Sequence, residues 1–321
     1  MKLLVVGAGS IGSRHAANAK ALGVAAIGVT DSDRERRDAL AGQLGARAFE
    51  TVEDGLAWAP DAAIICTPPA SHVSVAQLCA SAGCHLLIEK PLAASAAGVS
   101  VLADTISARG LRCAVAYQLR FHPALARMRE LVSSGAIGDL LSVQAEYGQY
   151  LPSWRPSRDY RQTYTAHAAM GGGILLDGSH EIDYVRWIGG EVAAVYAVAA
   201  KLSTLEMDGE DTAALLLRFR TPAIGEIHLD CVQRGYSRRC TLIGSEATVR
   251  WDVTSGLHIT TARGVTHEAI VPAPNDPYVA ELRAFIAGDL ASHATLADGL
   301  RILEVVDAAR ASAASRSEIA L

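Results

Sequence analysis

The chain has no excess of positive charge and no long apolar run. Of its 321 residues, 29 are Lys or Arg and 34 are Asp or Glu, which gives a net charge of -5 at pH 7. This balance provides no positive field for a phosphate backbone, and no basic run reaches the length of a nucleic-acid patch. Gly, Pro or charged residues interrupt every apolar stretch before the roughly 18 residues that a membrane span needs. We therefore expect neither nucleic-acid binding nor membrane insertion.

Cysteine is scarce and forms no recognisable pattern. No CxxC pair occurs among the six, which are Cys66, Cys79, Cys84, Cys113, Cys231 and Cys240. Most of them fall in apolar strand or helix patterns, where a free thiol acts as a small hydrophobic group. No cluster has the spacing of metal ligands. We expect buried free thiols, no metal and a cytoplasmic protein.

The composition is that of a folded chain large enough for two domains. Half of the residues are hydrophobic, a fifth are charged, and the mean hydropathy is +0.20. These values exclude a disordered polyelectrolyte. At roughly 150 residues per domain, the length allows two domains that each bury a core.

The rhythm of predicted elements changes near residue 118. Before that point short β-rich runs alternate with helical stretches, which is typical of a parallel sheet with crossover helices. Beyond it, an irregular segment (148–172) leads to a helix and then to strand-like runs between Val192 and Pro272. The sequence predicts an α/β protein with a doubly wound domain in residues 1–118 and an α+β domain with an antiparallel sheet in residues 119–321.

A complete G-x-G-x-x-G motif, Gly7-Ala8-Gly9-Ser10-Ile11-Gly12, follows the first predicted strand and opens a predicted helix. The glycines allow a tight turn, the approach of backbone N–H groups to a pyrophosphate, and close packing of helix and sheet. The alternative is that they are only turn residues. In this context we expect the segment from Gly7 to Gly12 to bind a dinucleotide.

Asp31 follows the second strand, where a carboxylate accepts hydrogen bonds from the adenosine ribose of NAD and repels the 2′-phosphate of NADP. Arg34, Arg36 and Arg37 come soon after and would offset that repulsion if they faced the ribose. Otherwise they form a solvated helix face. The sequence favours NAD and leaves NADP open.

Two further motifs end strands at the same edge of the predicted sheet, the edge at which ligands bind. Cys66-Thr67-Pro68 leads through a proline-rich turn to His72, and Glu89-Lys90-Pro91 ends the next strand. A lysine there can polarise a carbonyl or relay a proton. We take Cys66, Thr67, Pro68, His72, Glu89 and Lys90 as further candidates for cofactor binding, with His72 as a helix-capping or surface group as the alternative.

These three motifs, in this order, resemble the Gfo/Idh/MocA oxidoreductases, the family of glucose-fructose oxidoreductase and inositol dehydrogenase. The resemblance continues through Tyr117–Pro123, Gly135–Gly138 and Gly171–Asp183 and covers nearly the whole chain. It implies an N-terminal Rossmann domain and a C-terminal domain with an open, mostly antiparallel sheet. It also implies that the C-terminal domain binds substrate and forms homodimers or homotetramers through its sheet.

In that family, a lysine of the Glu-Lys-Pro motif and an Asp and a His from the later motif surround the nicotinamide. Carried over, they are Lys90, Asp177 and His180. The family usually places the His four residues after the Asp, whereas Asp177 and His180 are three apart. His180 is therefore the firmer assignment as general base. Asp177 is either catalytic, since residues i and i+3 share a helix face, or the N-cap of the following helix.

Candidate substrate-binding residues are Gln118 and Arg120, within the motif that begins at Tyr117, and four members of the irregular segment: Trp154, Arg155, Arg158 and Tyr160. Aromatic faces stack on sugar C–H surfaces, and guanidinium groups bind carboxylates or phosphates. The irregular segment suits a sugar or polyol with an acidic group. Its alternative role is as a contact between subunits.

The resemblance implies an NAD(P)-dependent enzyme that moves a hydride between the nicotinamide and a secondary hydroxyl or ketone of a sugar, a polyol or a sugar derivative that is acidic or nucleotide-linked. Two alternatives share the architecture. One is a regulator that binds the dinucleotide without catalysis, and the other is a glycosidase that uses bound NAD with no net redox change. Fold alone does not decide between them.

Overall fold

In the computed structural model, which describes all residues from 1 to 321, the chain divides into two compact units. The first unit comprises Met1–Gln118 and Asn275–Leu300. The second comprises Leu119–Pro274 and Arg301–Leu321.

The first unit is built on a six-stranded parallel sheet in the order β3-β2-β1-β4-β5-β6. Its strands are β1 (Lys2–Val6), β2 (Ala26–Thr30), β3 (Arg47–Phe49), β4 (Ala62–Ile65), β5 (His85–Glu89) and β6 (Cys113–Ala116). Its complete helices are α1 (Ser10–Ala21), α2 (Arg34–Leu44), α3 (Val52–Ala57), α4 (His72–Ser81), α5 (Val99–Ala108) and α9 (Asp276–Ala287). The predicted Rossmann sheet is confirmed, with one strand that the sequence did not reveal, the three-residue β3.

The central strands form because they are continuously apolar. Leu3, Leu4 and Val5 of β1 are all fully buried, as expected of a parallel strand that is covered on both faces. Local signals set the helix ends, since the Asp33 side chain accepts a hydrogen bond from the Arg36 N–H and Gly45 ends α2 in the left-handed conformation.

The segment Asn275–Leu300 differs from the predicted division of the chain, which assigned it to the second domain. Leu282 and Phe285 of α9 belong to the same hydrophobic cluster as the core of the first sheet. Asn275 and Asn18 of α1 also exchange side-chain hydrogen bonds of 2.8 and 3.3 Å. This packing joins residues far apart in the chain, and no local sequence pattern reports it.

The second unit is built on a nine-stranded sheet in the order β14-β13-β12-β11-β7-β10-β9-β8-β15. Its strands are β7 (Leu140–Gly148), β8 (Val192–Ala200), β9 (Thr212–Phe219), β10 (Ile224–Asp230), β11 (Ser237–Gly244), β12 (Ala247–Asp252), β13 (Gly256–Thr261), β14 (Gly264–Glu268) and β15 (Ile319–Ala320). Only β7 and β10 run parallel. The predicted open, mostly antiparallel sheet is confirmed.

Helices cover one face of this sheet. The helices of this unit are α6 (Pro123–Ser133), α7 (Ile174–Asp177) and α8 (Ser179–Gly189), while α10 (Leu296–Ser315) begins in the first unit and continues into the second. Burial alternates strictly along most of β9, so that one side packs inward and the other stays exposed. The exposed side is partly apolar, with Tyr196, Val198, Leu216 and Ile224 among its members. None of the helices has the length and apolar character that crossing a membrane requires.

A buried carboxylate organises the loop between β8 and β9. Asp211 is fully buried and accepts hydrogen bonds from the backbone N–H groups of Leu202 and Ser203 and from the hydroxyls of Ser203 and Thr212, over 2.6 to 3.1 Å. Burial acts to raise the pKa of this carboxyl, but these hydrogen bonds outweigh it and hold the pKa of Asp211 below its usual value.

We expect Asp211→Asn to lower the free energy of unfolding at pH 7 by about 1–3 kcal/mol, because an amide meets the four donors with a single acceptor oxygen. The pKa is lower in the folded state, so this stabilisation is complete above the unfolded-state pKa and is lost as the pH falls through the folded-state value. Thermal unfolding at pH 7 and at pH 3 measures both effects. Asp307→Asn, at an exposed position on α10, is the control, and an equal loss at both pH values would contradict the assignment.

Candidate active site

The glycine motif forms a loop that packs tightly against α1 at Gly12 and leaves open space at Gly9. A Cβ on Gly12 would lie 1.8 Å from the Gly7 carbonyl oxygen, so the loop and α1 approach each other as only glycine permits. A Cβ on Gly9 would meet no atom within 4 Å. Gly9 caps α1 without a side-chain hydrogen bond, which leaves the first N–H groups of the helix, including those of Ser10 and Ile11, to bind a ligand. This open cradle fits the pyrophosphate of a dinucleotide.

Asp31 is joined to this loop. One of its carboxylate oxygens accepts a hydrogen bond from the Ala8 N–H at 2.6 Å, and the other accepts from the Asp33 N–H at 2.8 Å. The side chain therefore lies beside the glycine loop at the end of β2, where the adenosine ribose is expected.

The arginines that follow Asp31 are engaged with neighbouring carboxylates. Arg36 pairs with Asp33 at 2.9 Å, while Arg34 and Arg37 pair with Asp38 at 3.5 and 2.8 Å. The prediction of a solvated helix face fits Arg34 and Arg36, whereas the Arg37 side chain is only 9% exposed. These pairings oppose a role for the arginines in neutralising a 2′-phosphate and favour NAD.

The turn after β4 is held by a buried histidine. One ring nitrogen of His72 lies 2.7 Å from the Thr67 carbonyl oxygen, and the other lies 2.9 Å from that of Pro91. Burial lowers the pKa of His72, so that the neutral ring donates to one of these carbonyls at a time. The alternative of a surface group is therefore wrong, since His72 is buried and joins the turn containing Pro68 to the segment after β5.

Cys66 forms the wall behind the glycine loop. Its side chain belongs to the hydrophobic cluster of the first unit, and burial raises the pKa of the thiol well above its usual value. The residue therefore contributes backbone and packing to the site, and its thiol stays protonated.

The Glu89-Lys90-Pro91 motif begins at Glu89, the last residue of β5. Glu89 is 6% exposed, and one of its oxygens lies 2.7 Å from Nε2 of His15 on α1. Its other oxygen accepts a hydrogen bond from the Lys90 backbone N–H at 3.0 Å. His15 is the residue here that sequence reasoning missed, because a histidine inside a predicted helix gives no sign of a partner so far along the chain.

In the second unit, Asp177 and His180 lie on different helices. Asp177 ends α7, Gly178 separates the helices, and His180 lies in the first turn of α8. The N-cap of α8 is Gly178, with no side-chain hydrogen bond, so the interpretation of Asp177 as that N-cap is wrong. The Asp177 carboxylate instead accepts a hydrogen bond from the Tyr164 hydroxyl at 2.7 Å. Asp177 and His180 are each 5% exposed.

Two buried ion pairs hold α8. Arg120 binds Asp183 through two nitrogens at 2.6 to 3.1 Å, and Arg238 of β11 binds Glu181 at 2.8 Å. Burial alone would lower the pKa of Arg238, but the Glu181 carboxylate raises it above its usual value. Arg120 was predicted to bind substrate, and the structure engages its guanidinium with the helix that carries His180. Gln118, from the same motif, is buried at the end of the first unit.

The irregular segment forms a small, partly open pocket in the second unit. Four of the predicted substrate residues line it, in the set Leu151, Trp154, Arg155, Arg158, Tyr160, Thr163 and Thr165. The Trp154 indole N–H donates to the Gln149 carbonyl at 2.8 Å, and its ring packs on Tyr147 at a centroid distance of 5.9 Å. Thr165 is adjacent in sequence to Tyr164, which connects this wall to Asp177.

The chain matches known proteins over both units. Residues 1–117 match the model of the Gfo/Idh/MocA oxidoreductase family with an NAD-binding Rossmann fold, and residues 125–250 match the C-terminal domain of the same family. An inositol 2-dehydrogenase of Rhizobium meliloti is 28% identical, with 99% of this chain and 98% of the relative covered. A UDP-N-acetylglucosamine 3-dehydrogenase of Acidithiobacillus ferrooxidans is also 28% identical, with 96% and 95% covered.

A solved structure agrees with these matches. The crystal structure of GenD2 from gentamicin A biosynthesis in complex with NAD superposes with a TM-score of 0.86 at 26% identity, and the match covers 100% of this chain and 96% of that one. The predicted family, fold and NAD cofactor are thereby confirmed.

We expect Gly9→Ala to fold as the wild type does but to bind NADH at least about tenfold more weakly, a loss of about 1.4 kcal/mol. The added methyl group fits the protein and occupies space that the pyrophosphate requires. NADH fluorescence titration measures the affinity, and thermal unfolding verifies the fold. Gly42→Ala is the matched control, because a Cβ there also meets no atom within 4 Å but lies in α2. Unchanged NADH affinity in Gly9→Ala would refute the assignment of this loop.

Proposed function

Because the chain belongs to the Gfo/Idh/MocA family of NAD-binding oxidoreductases, we propose that it oxidises a secondary hydroxyl of a sugar, polyol or sugar derivative, or reduces the matching ketone. The observation that carries the proposal is the position of Lys90 directly after β5, where the buried Glu89 carboxylate accepts a hydrogen bond from the Lys90 backbone N–H. Two relatives are named as dehydrogenases of inositol and of UDP-N-acetylglucosamine, and these names support the same class of substrate.

Each candidate group has one role in this reaction. NAD supplies the hydride acceptor in the oxidation and, once reduced, the hydride donor in the reverse reaction. His180 takes the proton from the substrate hydroxyl, and Lys90 stabilises the negative charge that develops on that oxygen. Asp177, oriented by the Tyr164 hydroxyl, binds the substrate beside His180.

The assembly and location belong to the same proposal. The exposed side of the second sheet carries apolar residues on adjacent strands, including Tyr196, Val198 and Leu216. Such a face supports a homodimer or homotetramer formed through the sheet. Six free cysteines, five of them buried, are consistent with a cytoplasmic protein.

The first test is turnover with NAD, and separately with NADP, on a panel of polyols, aldoses, uronic acids and nucleotide sugars, followed by nicotinamide absorbance. We expect NADH formation with a subset of them. Lys90→Met and His180→Asn should each lower kcat by roughly 10²–10⁴-fold, because each removes a group that acts on the reacting oxygen. NADH binding should change little in His180→Asn, because His180 acts on the substrate.

Lys20→Met and His228→Asn, at partly exposed positions, are the matched controls for these two variants. Full turnover in Lys90→Met or in His180→Asn would contradict the corresponding role. Hydrolysis of a glycoside without net NADH formation would identify the redox-neutral glycosidase instead. Binding of NAD without turnover of any substrate would favour the regulator.

The pocket of the irregular segment supports an acidic substrate. Arg155 is half-buried and Arg158 is exposed, and neither has a carboxylate within ion-pair distance. Arg161 of the same segment, by contrast, is paired with Asp159 at 2.8 Å and with Glu206 at 3.1 Å. Two unmatched guanidinium groups beside the Trp154 ring suit a sugar that carries a carboxylate or phosphate.

We expect Arg155→Met and Arg158→Met to raise KM for an acidic sugar by about tenfold, which is the scale of one charge-assisted hydrogen bond. The KM for an uncharged aldose with the same sugar ring should stay unchanged. Initial-rate kinetics on the two substrates measure the difference, and Arg161→Met is the matched control. Equal effects on both substrates, together with a change of sedimentation coefficient, would instead assign the segment to a subunit contact.

A further inference from the structure

His15 is a fully buried titratable side chain that the proposed reaction does not use. It lies on α1, the helix whose first turn the glycine loop opens, and it has no exposed surface. Its Nε2 lies 2.7 Å from Oε1 of Glu89, whose side chain is only 8% exposed. A buried polar pair of this kind is unusual beside a sheet whose strands are otherwise apolar.

Glu89 connects this histidine to the motif that contains Lys90. Its second oxygen, Oε2, accepts a hydrogen bond from the Lys90 backbone N–H at 3.0 Å. One oxygen contacts α1 and the other contacts the chain after β5, so the two contacts together restrict the orientation of the carboxylate. The direction in which the Lys90 backbone leaves the strand is therefore set by a contact from α1.

The opposite side of the same segment is held by His72. Its ring lies between the carbonyl oxygens of Pro91 and Thr67, at 2.9 and 2.7 Å. The dipeptide Lys90-Pro91 is thus fixed from α1 through Glu89 and from α4 through His72, while the Lys90 side chain extends from this fixed backbone.

Stability alone does not explain the pair between His15 and Glu89. Replacing a buried ionisable pair by apolar side chains of similar volume is often neutral or stabilising, because desolvation offsets the attraction between the partners. What an apolar pair does not provide is a directed acceptor for the Lys90 N–H. The contribution of the pair is therefore to orient the Glu89 carboxylate toward the Lys90 N–H.

We propose that His15 is a positioning residue for Lys90, acting through the Glu89 carboxylate. The inference rests on the proposed role of Lys90 in turnover. It makes the helix that begins at the dinucleotide loop also the element that orients the lysine, so that one rigid element sets the place of the cofactor and of the group that acts beside it.

The first test uses the cofactor-free protein and measures hydrogen exchange of the Lys90 amide, the group that Glu89 holds. His15→Leu keeps the volume and removes the donor, and we expect it to accelerate exchange of this amide by about tenfold or more. His15→Gln, whose amide can donate to Glu89, should restore much of the protection. Asn18→Ala is the matched control, since it also removes a buried polar contact of α1 but has no connection to Lys90.

The second readout is kinetic. His15→Leu should lower kcat by about tenfold with little change in the affinity for NADH, and His15→Gln should recover most of that loss. If His15→Leu does not fold, His15→Asn, which is too short to reach Glu89, gives the same comparison. Exchange of the Lys90 amide that changes no more than in Asn18→Ala, or faster exchange with unchanged kcat, would overturn the proposal.

These outcomes are distinct from a failure of the proposed function. Full turnover in Lys90→Met would remove the role of the lysine itself. The exchange measurement in the cofactor-free protein would still report whether His15 fixes the backbone of Lys90.

Discussion

The site in the first unit depends on the approach of Gly12 to Gly7. A Cβ at Gly12 would lie 1.8 Å from the Gly7 carbonyl oxygen, and one at Gly7 would lie 2.6 Å from that of Cys66. These contacts show that the ends of β1 and β4 pack directly against the start of α1. In the same loop, the Ala8 N–H donates a hydrogen bond to the Asp31 carboxylate at 2.6 Å. The glycine loop, Asp31 and the turn after β4 are therefore packed together. A larger side chain at Gly7 or Gly12 would push these parts away from one another.

Around this loop, and again in the second unit, buried ionisable pairs set the direction of the elements that carry the candidate reactive groups. Glu89 is held by His15 in the first unit, and Asp183 and Glu181 of α8 are held by Arg120 and Arg238 in the second. Each pair incurs a desolvation cost that an apolar pair would not. In return each pair restricts its helix or strand end to one orientation, which hydrophobic contact alone does not specify.

The sequence predicts most of the fold because its local signals are strong. Apolar runs bounded by glycine, proline or charged residues identify β1, β4 and β5, and the glycine spacing directly after a predicted strand identifies the dinucleotide loop. Short or exposed elements such as Arg47–Phe49 and Gly264–Glu268 lack enough periodicity to be recognised. Contacts between distant residues are also beyond a local reading: His15 and Glu89 are 74 positions apart, and the place of α9 in the first core follows from long-range packing.

The spacing of Asp177 and His180 shows how a departure from the family pattern is accommodated. Gly178 ends α7 and precedes α8, so Asp177 and His180 belong to different helices, and the argument from a three-residue spacing within one helix does not apply. A Cβ at Gly178 would lie 2.8 Å from the Ile174 carbonyl oxygen and 2.9 Å from the Leu229 side chain, so the close packing at this position favours glycine. The structure nevertheless buries both side chains and gives Asp177 the Tyr164 hydroxyl as a partner. Burying two ionisable groups is costly, and a module that only binds a dinucleotide gains nothing from it. The burial of Asp177 and His180 therefore favours an enzyme over a regulator that only binds the dinucleotide.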